Sequence, residues 1–82
     1  MRLDKFLKVS RLIKRRTVAN EACDSSRVSV NGKLAKPSHD VKIGDELTIS
    51  FGAKQVTVRV LEIKETTKKS ESLGMYEIVA EG

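Results

Sequence analysis

The sequence predicts an α+β domain: two short N-terminal helices packed on a small, curled, mostly antiparallel sheet. Three observations carry that prediction. Up to about residue 23 the apolar residues recur at helical spacing. From Val28 onward they alternate with polar residues, which is the period of strands. Between two of the alternating runs stands Asn31-Gly32, a strong short-range hairpin signal. The chain has 82 residues, enough for one small domain with a marginal core.

Leu3, Phe6 and Leu7 follow the i, i+3, i+4 pattern of a helix that buries one stripe. Lys5 and Lys8 then fall on the opposite side, and extending the helix would expose Leu12 between them. The first helix is therefore expected to end near Val9 or Ser10, with Leu12-Ile13 anchoring a turn. Thr17 is expected to cap a second helix. Its buried stripe would be Val18 with Ala22 and Ala19 with Cys23, and the capping box is imperfect because Asn20 stands where Glu or Gln serves best.

Val28–Val30 reads as a strand, Asn31-Gly32 as a type I′ turn, and Lys33–Ala35 as the return strand ended by Pro37. Gly44-Asp45 turns the chain into Leu47, Ile49 and Phe51, which alternate with Thr48 and Ser50. After a turn at residues 52–54, Val56, Val58 and Val60 alternate with Thr57 and Arg59. The slip at Val60-Leu61 predicts a bulge or strong bend. Residues 65–74 are polar and read as a flexible loop, and Met75–Ala80 as a last strand. The expected division is a domain over residues 1–64, extended by the loop and final strand over 65–82.

Formal net charge is +5, with 16 basic and 11 acidic side chains. Residues 1–16 hold seven of the cations (Arg2, Lys5, Lys8, Arg11, Lys14, Arg15 and Arg16) and one acid, Asp4. The remainder of the chain is slightly acidic. Charge segregated in this way builds a local field that attracts polyanions. Four of the seven are arginines, whose planar fork suits phosphate. The cluster from Arg11 to Arg16 leads into the start of the second helix, where cations oppose the helix dipole at about 0.3–1 kcal/mol each. That arrangement turns favourable once an anion arrives. Pairing of Arg15 or Arg16 with Glu21 or Asp24 is the structural alternative.

Catalysis finds no foothold. His39 is the single histidine, in a polar turn, and Cys23 lies on an apolar stripe where cysteine acts as a small hydrophobe. One cysteine excludes an internal disulfide and a Cys-rich zinc site. No catalytic residue, cofactor or metal site is expected, and the default compartment is the reducing cytoplasm. No apolar run approaches membrane-spanning length. An amphipathic membrane anchor would want bulky apolar residues beside the cations, yet Phe6 and Leu7 are needed inside. Docking on an acidic protein remains the reading from another class.

The same residues carry a family resemblance. Arg2-Leu3-Asp4-Lys5-Phe6-Leu7, Arg16-Thr17-x-Ala19, Val28-x-Val30-Asn31-Gly32, Pro37-Ser38 and Gly44-Asp45-Glu46-Leu47 resemble the RNA-binding domain named after ribosomal small-subunit protein S-four. The glycine usual before that family's first strand is Ser26 here. The resemblance implies that both helices and the loop between them lie on structured RNA, with Arg2, Lys5, Lys8, Arg11, Lys14, Arg15, Arg16 and Thr17 as the contacting residues. The opening seventeen residues, Thr66–Lys69 and Met75-Tyr76 are similar to the small stand-alone members that serve ribosome quality control. That similarity implies a factor that binds obstructed large subunits, contacting 23S rRNA and P-site tRNA; a monomer is expected. With an RqcH-type partner it would support template-free alanine tailing. The related heat-shock-protein-fifteen kind of large-subunit recycling and a generic structured-RNA module are the alternatives.

Overall fold

A computed structural model describes residues 1–65 and 74–82, so most of the expected loop over 65–74 lies outside the described residues. Helices α1 (Leu3–Val9) and α2 (Arg16–Asp24) pack against each other and on one side of a five-stranded sheet. The strands are β1 (Val28–Val30), β2 (Lys33–Leu34), β3 (Glu46–Phe51), β4 (Lys54–Val60) and β5 (Tyr76–Glu81). Every pairing is antiparallel, in the order β2-β1-β3-β4-β5. The fold is thus α+β, and β5 runs along β4, which puts residues 76–81 in the same sheet.

Helix α1 has no side-chain cap; the segment after Pro37 supplies one from the backbone instead. The Leu3 and Asp4 amides donate to the carbonyls of His39 (2.8 Å) and Pro37 (3.2 Å), and the Val41 amide donates to Met1 (2.8 Å). The loop is thereby stitched to the N-terminus and runs beside Arg2. The helix stops at Ser10, and Arg11 takes φ +65°, a left-handed conformation that few non-glycine residues adopt.

Helix α2 begins at Arg16, one residue before the expected cap. Thr17 is no cap: Arg15 is the boundary residue, and its carbonyl accepts the Ala19 amide (3.0 Å). Contact with α1 explains the shift, since Arg16 in the first turn reaches back to Asp4. The buried stripe also differs. Ala19 and Cys23 are buried, Ala22 is half-buried, and Val18 is exposed. Two small side chains let the helices approach closely, and a face centred on them turns Val18 outward.

The end of α2 holds the Ser26 position. Arg27 donates to the Ala22 carbonyl (2.9 Å) and Ser26 to that of Cys23 (3.1 Å), a Schellman termination with Ser26 at φ +60°. Glycine occupies that conformation without Cβ strain. Ser26→Gly is expected to raise stability by about 0.5–1 kcal/mol in urea unfolding; a loss of stability would contradict this account of the termination.

Asn31 (φ +51°) and Gly32 (φ +85°) form the expected type I′ turn. The Asn31 side chain ties it to β3, accepting from the Glu46 amide (3.0 Å) and donating to Asp45 (3.2 Å). The core joins Leu3, Phe6, Leu7, Val9, Ile13, Ala19 and Cys23 to the sheet residues Val28, Val30, Leu47, Ile49, Val58 and Val60, with Val41 and Met75. Phe51 shares the register parity of Leu47 and Ile49 yet is exposed, because it ends β3 beyond the core cluster. The register shift lies earlier than Val60-Leu61. It falls between Thr57 and Val58, where Val79 of β5 is the extra residue. At the expected place the Leu61 and Glu62 amides both donate to the Met75 carbonyl (2.8 and 3.2 Å), two residues facing one.

Candidate nucleic-acid interface

The cations of residues 1–16 divide into two groups. Lys8, Arg11, Lys14 and Arg15 are exposed and have no ion pair among the described residues. They come from the last turn of α1, the α1–α2 loop and the residue before α2. Thr17 is exposed in the first turn of α2, which contains no acidic residue. By construction the opening amides of that helix lack intrahelical acceptors, so they add donors beside Arg15 and Arg16.

Arg2, Lys5 and Arg16 are engaged. Lys5 pairs with exposed Glu65, whose carboxyl it holds below the ordinary value through its hydrogen bond and charge. An exposed pair of this sort contributes little and yields readily to a competing phosphate. Arg2 and Arg16 converge on Asp4. The Asp4 side chain is 3% exposed, whereas those of Arg2 and Arg16 are 51% and 48% exposed. Burial pushes the Asp4 carboxyl up; hydrogen bonds from Arg2, Asn20 and Arg16 and the Arg16 charge outweigh it and hold the group below its ordinary value. The structural alternative, pairing of Arg15 or Arg16 with Glu21 or Asp24, does not form among the described residues; Arg16 pairs with Asp4 instead.

Sequence reasoning missed two kinds of residue. Asp4 and Asn20 act as holders, and the signals were a lone acid within a basic segment and an amide at a capping-box position. Lys36 and His39 flank Pro37 in the loop stitched to the start of α1 and are exposed there. Their proximity to Arg2 arises from a contact between segments more than thirty residues apart.

Burial and the charges of Asp4 and Asp24 push the Cys23 thiol up to about 11, which keeps it protonated and a poor nucleophile. Among the described residues no three His, Cys, Asp or Glu side chains are grouped to hold a metal, and no helix is long and apolar enough to cross a membrane.

Comparison with known proteins fits this geometry. The family model for the S4 domain matches residues 1–47. The RQC P-site tRNA stabilizing factor of Bacillus subtilis is 65% identical over 81 residues, covering 99% of this chain and 94% of that protein. The Streptococcus pneumoniae protein of the same name is 59% identical over 99% of this chain and 92% of its own. Escherichia coli Heat shock protein 15 is 38% identical over 99% of this chain but 62% of its own length. Among solved structures, the trimeric Vibrio cholerae Heat Shock Protein 15 superposes with a TM-score of 0.90 at 32% identity, over 98% of this chain and 82% of that one. The chain belongs to the S4 domain family, in the branch of short members represented by the RQC P-site tRNA stabilizing factors.

Proposed function

We propose that this chain is a non-enzymatic, cytoplasmic RNA-binding factor of ribosome-associated quality control. It binds obstructed large subunits, contacts 23S rRNA and P-site tRNA through Arg2, Lys5, Lys8, Arg11, Lys14, Arg15, Arg16 and Thr17, and supports alanine tailing with an RqcH-type partner. It is proposed to act as a monomer. The observation that carries the reading is the 65% identity along 99% of the chain to a factor named for the P-site tRNA. Four cations without an ion pair among the described residues and two half-exposed guanidiniums supply the phosphate contacts. Such contacts position a protein and carry little sequence information, so the choice of target rests on the identity. Large-subunit recycling, implied by the resemblance to the heat-shock-protein-fifteen kind, is the second reading, and the TM-score of 0.90 with Heat Shock Protein 15 supports the kinship on which it rests.

Titration of the protein with structured RNA over a salt series tests the interface. If about four to six cations touch phosphates, log K falls against log salt with a slope of roughly −3 to −5. A slope near zero would overturn the reading. Arg16→Ala is expected to weaken binding by about tenfold and Lys14→Ala by less, because a guanidinium forks onto phosphate and a mobile ammonium does not. Equal or reversed losses at unchanged melting temperature would contradict the assignment, and Lys54→Ala should leave the slope nearly unchanged.

A further inference from the structure

Asp4 is the single acid among the first sixteen residues, and it is buried. Its carboxylate gathers donors from both helices and from the residue preceding α1. Arg2 donates through Nε at 3.2 Å and Nη2 at 3.4 Å, Arg16 through Nη2 at 3.5 Å, and Asn20 through Nδ2 at 3.3 Å. The Lys5 amide adds a bond of 2.8 Å to Oδ1.

The arginine contacts are long beside the roughly 2.7–2.9 Å of tight charge-assisted bonds. Both guanidiniums remain about half exposed, and the Nη1 group of each has no partner among the described residues. A pair meant only to stabilise the fold would close tightly around the carboxylate. This pair instead touches it along one edge and keeps donors outward. Without an anion between them the two guanidiniums would repel and separate, and each would lose about 2 kcal/mol of rotamer entropy on being fixed.

We propose that Asp4 is a positioning residue that draws Arg2 and Arg16 from two elements onto one carboxylate, so that their outward N–H edges form a seat for one RNA phosphate. The proposal rests on the RNA-binding reading above. Asn20 steadies the seat: its amide donates to Asp4 Oδ2, the oxygen Arg2 Nη2 also uses. The seat keeps a net positive charge, since two guanidiniums surround one carboxylate.

Positioning and simple electrostatics make opposite predictions for Asp4→Asn, which removes one negative charge from a basic face. Binding of deacylated tRNA is measured over a salt series, alongside melting temperature. The seat requires affinity to fall by about tenfold and the salt slope to lose about one unit, despite the added net charge. Adding Arg16→Ala to Asp4→Asn should then cost little more, whereas in the parent chain it costs its full amount. A folded Asp4→Asn that binds more tightly with a steeper slope overturns the proposal, as does full additivity with Arg16→Ala. If Asp4→Asn melts below the assay temperature, Asn20→Ala serves, because it leaves every charge in place. It should weaken binding about two- to threefold, and unchanged affinity overturns the seat. A parent chain without salt-dependent binding overturns the RNA reading and the seat together; a parent that binds while Asp4→Asn binds more tightly overturns the seat alone.

Discussion

Replacing Arg2 and Arg16 together is expected to shorten or abolish the alanine tails on a stalled reporter while the level of the RqcH-type partner stays constant. The two side chains carry the guanidiniums that converge on Asp4, and together they should contribute at least the roughly tenfold in affinity expected of Arg16 alone. Their losses will not simply add, because they share one carboxylate. The alanine pair has a second consequence: it leaves Asp4 buried with no cation, a change that costs roughly 3–5 kcal/mol where a buried pair is broken. Arg2→Lys with Arg16→Lys avoids it by keeping both charges and removing the planar forks. Tails should shorten in the lysine pair too, at a melting temperature near the parent's. Sucrose gradients supply the companion measurement. The parent should travel with free large subunits, more so as stalled chains accumulate, and the variants should move to the top. Sedimentation only with small subunits or free tRNA would overturn the quality-control reading while leaving RNA binding intact. Normal tails with slow recycling of large subunits would install the recycling reading in its place.

What could be read from the residues, and what could not, follows the range of the forces. The hairpin at Asn31-Gly32 was legible because a type I′ turn demands two positive φ values within the dipeptide itself. The end of α1 was legible because Leu12 could not continue the stripe without exposure. The Thr17 cap failed because the start of α2 is set by Arg16 reaching a carboxylate twelve residues earlier. Val18 was misplaced for a similar reason: helical spacing gives two candidate stripes, and contact with α1 chooses the one centred on Ala19 and Cys23. The irregularity expected at the break in alternation is present, where the Leu61 and Glu62 amides share the Met75 carbonyl. A second one, with Val79 as the extra residue, lies in the partner strand and left no mark in the pattern of β4. At the site, the cations were legible as composition. Their division, among the described residues, into four without an ion pair and three engaged was not, since Arg16 and Asn20 meet Asp4, and Glu65 meets Lys5, only in the fold.

The two phenylalanines should respond very differently to the same substitution, and the contrast tests where the core ends. Phe6 is fully buried between α1 and the sheet, among the bulkiest side chains of a small core. Phe6→Ala removes a ring whose space the short helices cannot collapse to fill, at a cost of about 3–5 kcal/mol. A domain of this size holds roughly 4–12 kcal/mol in total, so the variant should melt at least about 12 °C lower or be unfolded at growth temperature. Phe51 looks equivalent by alternation, but the residue is 45% exposed at the end of β3, and Phe51→Ala should cost about 1 kcal/mol or less. The functional readout should separate in the same direction. Loss of Phe6 frees α1, and with it Arg2, Asp4, Lys5 and Lys8, so RNA affinity should fall even though no cation was removed. Loss of Phe51 should leave affinity and salt slope at the parent values. Equal shifts in melting temperature would mean that the core extends past Ile49 to the end of β3. An intact RNA affinity in a molten Phe6→Ala chain would mean that the basic segment binds as an unstructured polycation, and the geometry around Asp4 would then have no part in recognition.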